Sequence, residues 1–180
     1  MTSPETKRFT ASNMEKINTR SVFAGIALAC FVLLTAAWYA QYGPAKQQPC
    51  PLCILQRYAY LLLGIVSIIS AVAAKPGKPT LIAAFVADAV ASVGLGLAIW
   101  QVTKGKDMTS CATDPVGIFV NGLPTANWWP EFFFANGGCA DVYPPLFGLT
   151  VPVWSLIWFA VFSAALMATL ALTLRGQVRH

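Results

Sequence analysis

The sequence predicts an all-α membrane protein: a four-transmembrane-helix bundle with a short interfacial helix in its second outward-facing loop. Of the 180 residues, 57% are hydrophobic and only 11% are charged, whereas a soluble domain carries about 25% charged residues. The hydrophobic residues also form four long runs, each near the ~20 residues that a helix needs to cross a bilayer. We expect a single membrane domain over residues 1–180, with spans near 22–40, 54–74, 81–100 and 151–174.

The basic residues predict the orientation of these spans. If the spans alternate in direction, eight lysines and arginines fall on one side: Lys7, Arg8, Lys16, Arg20, Lys75, Lys78, Arg175 and Arg179. Cytoplasmic loops carry an excess of Lys and Arg, so both termini are expected in the cytoplasm, with loops 41–53 and 101–150 outside. The orientation of the spans therefore explains the position of the basic residues behind the net charge of +5, and we expect no nucleic-acid partner.

The first apolar run lacks a clear small-x-small cleavage site after it, so we expect a retained helix rather than a cleaved signal peptide.

Four of the five cysteines lie in the two outer loops: Cys50, Cys53, Cys111 and Cys139. Disulfides form and persist on the non-cytoplasmic side of the membrane. The topology was inferred from Lys and Arg, so the cysteine placement is an independent observation that agrees with it. The fifth cysteine, Cys30, lies in the middle of the first span and is expected to be a small buried hydrophobic residue.

Local signals place the ends of the helices. Residues 1–20 are polar and are expected to form a mobile tail. Gly43 and Pro44 are expected to end the first helix, and Pro51 suits the first turn of the second. The third span carries small residues at four-residue spacing, which allow close helix packing in lipid. They form two neighbouring rows: Ala83, Ala87 and Ala91, then Val90, Gly94 and Ala98.

The long outer loop contains a dense aromatic cluster, Trp128, Trp129 and residues 132–134, followed by Asn136 and two glycines. This pattern predicts a short helix over about residues 129–136 that lies flat among the lipid headgroups. A small globular cap with an aromatic core is the alternative.

The stretch Cys50-Pro51-Leu52-Cys53, followed by Arg57, carries the chemistry. Cys53 and Arg57 are four residues apart, so they share a helix face. Cys53 also lies in the first helical turn, where backbone amides carry positive partial charge. Both effects favour the thiolate, which is the nucleophile and electron donor. The alternative for Arg57 is that it extends to headgroup phosphates.

A thiolate beside a cation at the lipid edge suggests a lipid-soluble electron acceptor. The sequence has no nucleotide or flavin motif, and a membrane quinone needs only a groove between helix ends. Two other arrangements stay open: a structural zinc site built from the four loop cysteines, and two static disulfides. A c-type haem attachment is excluded at this motif because Ile54, rather than His, follows Cys53.

These residues resemble the DsbB family of bacterial inner-membrane disulfide-generating proteins. The resemblance covers about residues 20–174. It includes the Cys-x-x-Cys-x3-Arg element and the loop pair Cys111 and Cys139. Two further matching segments are Ala-Asn-Gly-Gly-Cys-Ala at 135–140 and Leu-Thr-Val-Pro-Val-Trp at 149–154. It implies a multi-pass protein of the inner membrane, with periplasmic cysteine loops, that accepts electrons from a periplasmic DsbA-like thiol oxidase. It also implies a quinone cofactor, ubiquinone or menaquinone.

The resemblance further implies a role for each site residue. A reduced DsbA-like protein would attack the Cys111–Cys139 disulfide through Cys111. Cys139 would then exchange with Cys50 and release Cys53 against the quinone. Arg57 matches the family's quinone-site arginine, and Gln101 is a loose match to a polar position at the outer end of the third span. Gln56 departs from the acidic residue found before the arginine in some members.

Three other functions compete with this interpretation. A vitamin-K-epoxide-reductase-like protein also uses four helices and four cysteines, but its quinone-proximal motif follows the loop pair, whereas here the motif precedes it. A structural four-span protein would keep two stable disulfides. A transporter would centre on Asp88 in the third span, which could instead be a hydrogen-bonded packing residue or part of a proton pathway.

Overall fold

The computed structural model describes residues 4–44, 46–73, 78–104, 115–138 and 145–178. Four long helices dominate them: α1 (Pro4–Tyr42), α2 (Pro51–Ala73), α3 (Lys78–Lys104) and α7 (Val151–Val178). Three short helices lie between α3 and α7: α4 (Pro115–Asn121), α5 (Pro124–Trp128) and α6 (Pro130–Phe133). The described residues contain no β-strand beyond an isolated bridge between Leu146 and Leu149, so the all-α prediction is confirmed.

The four predicted spans are also confirmed. Helices long and apolar enough to cross a membrane cover Thr19–Tyr42, Pro51–Ala73, Lys78–Thr103 and Val151–Arg175. They extend up to three residues beyond the predicted runs at most ends, because helical hydrogen bonding continues past the last apolar residue. The bundle therefore makes this a multi-pass membrane protein.

The N-terminal segment differs from the prediction. Residues 4–20 were expected to form a mobile tail, but the structure has them as the first turns of α1. The segment includes good helix formers such as Glu5, Lys7 and Lys16, and no Pro or Gly follows Pro4 before the apolar run. A polar sequence without a helix breaker can continue the hydrogen-bonding pattern of the helix that follows it.

The long helices pack in chain order, α1 on α2, α2 on α3 and α3 on α7, whereas α1 and α7 touch over few residues. Close contact between α3 and α7 depends on Gly94, because a Cβ at this position would lie 2.3 Å from the Phe159 ring. The fully buried alanines of α3 are Ala84, Ala87, Ala91 and Ala98. The predicted row was therefore correct except that Ala84, rather than Ala83, is fully buried.

Cys30 lies in the core between α1 and α2, where it is 1% exposed and where a Cβ on Gly64 would contact its Cβ at 3.4 Å. The prediction of a small buried hydrophobic residue is confirmed. Cys30 thus has a packing role apart from the loop cysteines.

The aromatic part of the outer loop forms two short helices rather than one. α5 ends at Trp128 and α6 spans only Pro130–Phe133, so the helix expected over residues 129–136 is shorter than predicted. Pro130 separates α5 from α6 because proline lacks an N–H and disfavours a helical residue before it. α6 ends at Phe133 because the Ala135 amide donates to the Asn121 side chain rather than within the helix. Phe132 and Phe133 are buried against the bundle while Trp128 and Trp129 face outward. Whether α6 lies among lipid headgroups stays a prediction.

Candidate functional site

Cys50 and Cys53 lie at the N-terminal end of α2. Cys50 immediately precedes the helix, and its carbonyl oxygen accepts a hydrogen bond from Ile54 N at 3.1 Å. This first turn brings the two sulfurs to 2.9 Å from each other, and Cys53 N donates to Cys50 Sγ at 3.3 Å. Cys50 is buried, whereas Cys53 is partly exposed. The pair is therefore close enough for disulfide chemistry, and Cys53 is the more exposed residue of the two.

Gln101 meets both sulfurs. Its Nε2 donates to Cys50 Sγ and to Cys53 Sγ, each at 3.1 Å. Gln56, one turn after Cys53 on α2, donates from Nε2 to Gln101 Oε1 at 2.8 Å. Because Gln56 is a donor here, the Gln101 oxygen faces α2 and its NH₂ group faces the sulfurs. The outer end of α3 thus brings a hydrogen-bond donor to the thiol pair.

Arg57 is 6% exposed and is held by protein rather than extended to the surface. Its Nη1 donates to Gln41 Oε1 at 3.0 Å and to the Phe132 carbonyl oxygen at 2.7 Å. The guanidinium carbon also lies 5.0 Å from the centre of the Phe132 ring, a cation–π distance. These partners are neutral, so the positive charge of Arg57 remains available to a ligand near the cysteines.

A cavity of about 120 Å³ joins these groups. Its polar lining includes Cys50, Cys53, Gln56, Arg57, Gln101, Tyr60 and Ser155, together with Gln47 and Gln48. Its apolar lining includes Leu34, Ala37, Val151 and Pro152. An apolar cavity of similar size, about 150 Å³, accommodates a benzene ring in another protein. Apolar walls with a few convergent polar groups are typical of cofactor sites, so the lining fits a quinone headgroup.

The loop before α2 and the loop between α6 and α7 meet beside this cavity. Asn136 N and Gly137 N both donate to the Pro49 carbonyl oxygen, at 3.2 and 3.1 Å. Asn121 holds the same segment, since its side-chain amide donates to the Ala135 carbonyl oxygen at 2.9 Å and accepts from Ala135 N at 2.8 Å. Gly138 then lines the cavity. The sequence neighbour of Cys139 is therefore close to Cys50.

Cys111 and Cys139 themselves lie outside the described residues, so their pairing stays a prediction. The same holds for a zinc site that would use them. Within the described ranges, no group of three or more Cys, His, Asp or Glu side chains could hold a metal ion.

Asp88 lies away from the thiol pair. Ser163 Oγ donates to its Oδ1 at 2.7 Å, across the contact between α3 and α7. Thirteen residues separate Asp88 from Gln101 on α3, which corresponds to about 20 Å along the helix. This hydrogen bond agrees with the interpretation of Asp88 as a packing residue.

Comparison with known proteins gives a match over most of the chain. Residues 19–169 match the family described as disulfide bond formation protein DsbB. This chain belongs to the DsbB family. A disulfide bond formation protein B from Cupriavidus metallidurans is 38% identical over 165 residues, which cover 91% of this chain and 97% of the relative. Proteins of the same description from Cupriavidus necator and Burkholderia thailandensis are 38% and 37% identical, over 83% and 89% of this chain and 91% and 94% of the relatives.

DsbB membership confirms the family resemblance inferred from the sequence and agrees with a disulfide-forming oxidoreductase. The structure brings together Cys50, Cys53, Arg57 and Gln101 of the predicted site residues. Sequence reasoning did not identify Gln41, Gln56, Tyr60 and Ser155. Helical spacing could have suggested Gln56 and Tyr60, three and seven residues after Cys53. Gln41 and Ser155 come from other helices and carry no local signal.

Proposed function

We propose that this protein oxidises a periplasmic DsbA-like dithiol protein by disulfide exchange and passes the electrons to a membrane quinone. It would thereby act as a protein-disulfide:quinone oxidoreductase. The observation that carries the proposal is the single cavity lined by both Cys50 and Cys53, by the buried cation Arg57 and by Gln101.

Each polar group has a role in this scheme. Arg57 would hold a quinone oxygen by charge and hydrogen bonding, since its present acceptors are neutral. Gln101 would support negative charge on the sulfurs through its two N–H···S contacts. A bound quinone would supply the two-electron oxidant that restores the Cys50–Cys53 disulfide. α1 and α7 touch over few residues. A quinone would reach the cavity from the bilayer through the gap between these two helices.

The protein steps are thiol–disulfide exchanges, which conserve the number of disulfides. A thiolate of the reduced partner attacks the Cys111–Cys139 disulfide, bonds to Cys111 and releases Cys139. The second partner thiolate then displaces Cys111, and the partner leaves oxidised. Cys139 attacks Cys50 and releases Cys53 as a thiolate. Cys111 then attacks Cys139 in this mixed disulfide, which re-forms the Cys111–Cys139 disulfide and releases Cys50. The two electrons of one dithiol thus arrive at the Cys50–Cys53 pair.

The contact between the outer loops supports the exchange between Cys139 and Cys50. The hydrogen bonds of Asn136 and Gly137 to Pro49 connect the residue before Cys50 to the segment that leads to Cys139. Reactants that are held near each other react faster than reactants that must first diffuse together. In this proposal both termini face the cytoplasm of a bacterium, and both cysteine loops face the periplasm.

Purified protein in detergent, reduced DsbA and ubiquinone-1 provide the test. Wild-type protein is expected to catalyse quinone reduction, and Cys53→Ser is expected to abolish it. Cys30→Ala is the matched control, because Cys30 packs between α1 and α2, outside the cavity lining. Normal turnover by Cys53→Ser would disprove the relay. No turnover by the wild type, with all cysteines stably oxidised, would favour the alternative of a structural protein with two static disulfides.

A further inference from the structure

Two residues that carry hydroxyl groups, Tyr60 and Ser155, line the cavity. Tyr60 is on α2, seven residues after Cys53 and three after Arg57, so it continues the helix face that carries both. Its hydroxyl oxygen lies 2.9 Å from Ser155 Oγ of α7. Tyr60 and Ser155 are 6% and 8% exposed. The cavity thus has one polar end at the thiol pair and Arg57, and a second polar element in its wall.

We propose that the Tyr60–Ser155 hydroxyl pair is a second polar contact for the quinone, donating a hydrogen bond to the carbonyl oxygen farther from Cys53. This inference rests on the proposed function and adds the binding residues for the far side of the headgroup. A quinone ring carries two carbonyl oxygens at opposite ends. Arg57 accounts for one end, and a donor at the other end would fix the orientation of the ring.

The hydrogen bonding of the pair leaves a proton for such a contact. The two hydroxyls carry two protons, and the bond between them uses one. The remaining proton can go to the Ser155 carbonyl oxygen, at a long 3.4 Å from the Tyr60 hydroxyl, or to an acceptor in the cavity. A carbonyl oxygen is a strong acceptor in apolar surroundings, where an unused donor is costly.

Three other hydroxyls in the spans bond only within their own helix. Ser70, Thr169 and Thr173 each donate to the backbone carbonyl oxygen four residues earlier, at 2.6 to 2.8 Å. Such a bond within one helix is the usual way to satisfy a Ser or Thr inside a span. Ser155 instead pairs with a side chain on another helix, and both residues line the cavity.

The ring of Tyr60 is held in place before any ligand binds. It stacks on Phe159 with a centroid distance of 4.2 Å and an interplanar angle of 12°. Phe162 packs edge-on against it, at 6.4 Å. Since packing restricts the ring, the hydroxyl would lose little conformational entropy when it contacts a ligand.

The test measures the KM for ubiquinone-1 with reduced DsbA as electron donor. Tyr60→Phe and Ser155→Ala are each expected to raise this KM about three- to tenfold, the range for one hydrogen bond. The KM for DsbA should not change. The double variant should be little worse than either single variant, because the two hydroxyls act as one unit. Ser70→Ala is the matched control: it removes a hydroxyl of α2 that donates to Val66 and should leave the quinone KM at the wild-type value.

A spectroscopic measurement separates direct contact from a structural effect. The infrared C=O stretch of ¹³C-labelled ubiquinone-1 bound to the wild type should shift to higher wavenumber in Tyr60→Phe, because a hydrogen bond to the oxygen is lost. An unchanged C=O stretch would overturn the proposal, even if the KM rose. An unchanged quinone KM in both single variants would also overturn it. In either case, Cys53-dependent quinone reduction by the wild type would show that the proposed function itself still holds.

Discussion

The Gly137 amide nitrogen donates to the Pro49 carbonyl oxygen at 3.1 Å, which joins the loop before Cys139 to the residue before Cys50. The approach is too close for a side chain. A Cβ on Gly137 would lie 2.3 Å from the Gln48 carbonyl oxygen and 2.7 Å from the Gln48 carbonyl carbon. The neighbouring atoms are backbone, so they cannot rotate away.

Gly137→Ala should therefore separate the two loops and slow the exchange between Cys139 and Cys50. Overpacking at this position should cost about 1.4 kcal/mol of free energy, which corresponds to a tenfold change in the population of the state in which the two loops are in contact. We expect about tenfold slower DsbA-dependent turnover, measured as quinone reduction, with an unchanged quinone KM. Gly96→Ala is the control, because nothing lies within 4 Å of a Cβ at that position. Equal turnover of the two variants would contradict a role for this contact.

Arg57 should not be replaceable by lysine. A lysine keeps the positive charge, but it lacks the planar fork of donors that a guanidinium presents. Arg57 contacts Gln41, the Phe132 carbonyl oxygen and the Phe132 ring at once. Hydrogen bonds of charged groups contribute about 1.5–3 kcal/mol, so Arg57→Lys should raise the quinone KM at least about tenfold.

The control for this variant is Arg175→Lys, in the last turn of α7, far along the chain from the cavity residues. It should leave the quinone KM unchanged. A wild-type quinone KM for Arg57→Lys would mean that charge alone suffices, and that the geometry of the guanidinium is unimportant.

Gln56 sets the direction of the Gln101 amide, and Gln56→Glu should reverse it. A carboxylate accepts hydrogen bonds and has none to donate. The Gln101 amide would then rotate, so that its NH₂ group faces residue 56 and its oxygen faces the two sulfurs. We expect slower alkylation of Cys53 by iodoacetamide in the reduced protein, by about threefold to tenfold for one lost hydrogen bond.

The apolar variant Gln101→Leu provides a comparison, since it removes the same donor without adding a charge. It should slow alkylation to a similar extent. If Gln56→Glu reacted as fast as the wild type while Gln101→Leu reacted slowly, the orienting role of Gln56 would be refuted.

Asp88 should tolerate replacement by asparagine. Its Oδ1 accepts a hydrogen bond from Ser163, and an asparagine Oδ1 can accept the same bond. We therefore expect Asp88→Asn to reduce quinone at the wild-type rate across the pH range. Asp88→Ala should instead lower the stability by about 1 kcal/mol, measured by thermal unfolding in detergent. A strong loss of turnover in Asp88→Asn would point to the proton pathway.

Much of the fold follows from local patterns. Four apolar runs predict four spans, Pro51 predicts the start of α2, and Gly43 predicts the end of α1, where its amide donates to the Tyr39 carbonyl oxygen at 2.7 Å. These features depend on hydrophobicity and backbone chemistry over a few residues. The helix expected over residues 129–136 was wrong in extent. It ends at Phe133 because the Ala135 and Asn136 amides donate to Asn121 and Pro49 instead of continuing the helix.

The sequence by itself determined the helical bundle, the Cys50–Cys53 pair and the placement of Arg57 one turn beyond Cys53, because these depend on helical spacing within one segment. Tertiary structure alone decided which distant groups meet them. Gln101 contacts the two sulfurs from 48 and 51 residues away in the sequence. Arg57 is held by Gln41, which precedes it in the sequence, and by Phe132, which follows it. Ser155 and Tyr60 are 95 residues apart. Each contact depends on how the helices pack, and helix packing is decided by the shapes of whole helix surfaces rather than by any local pattern.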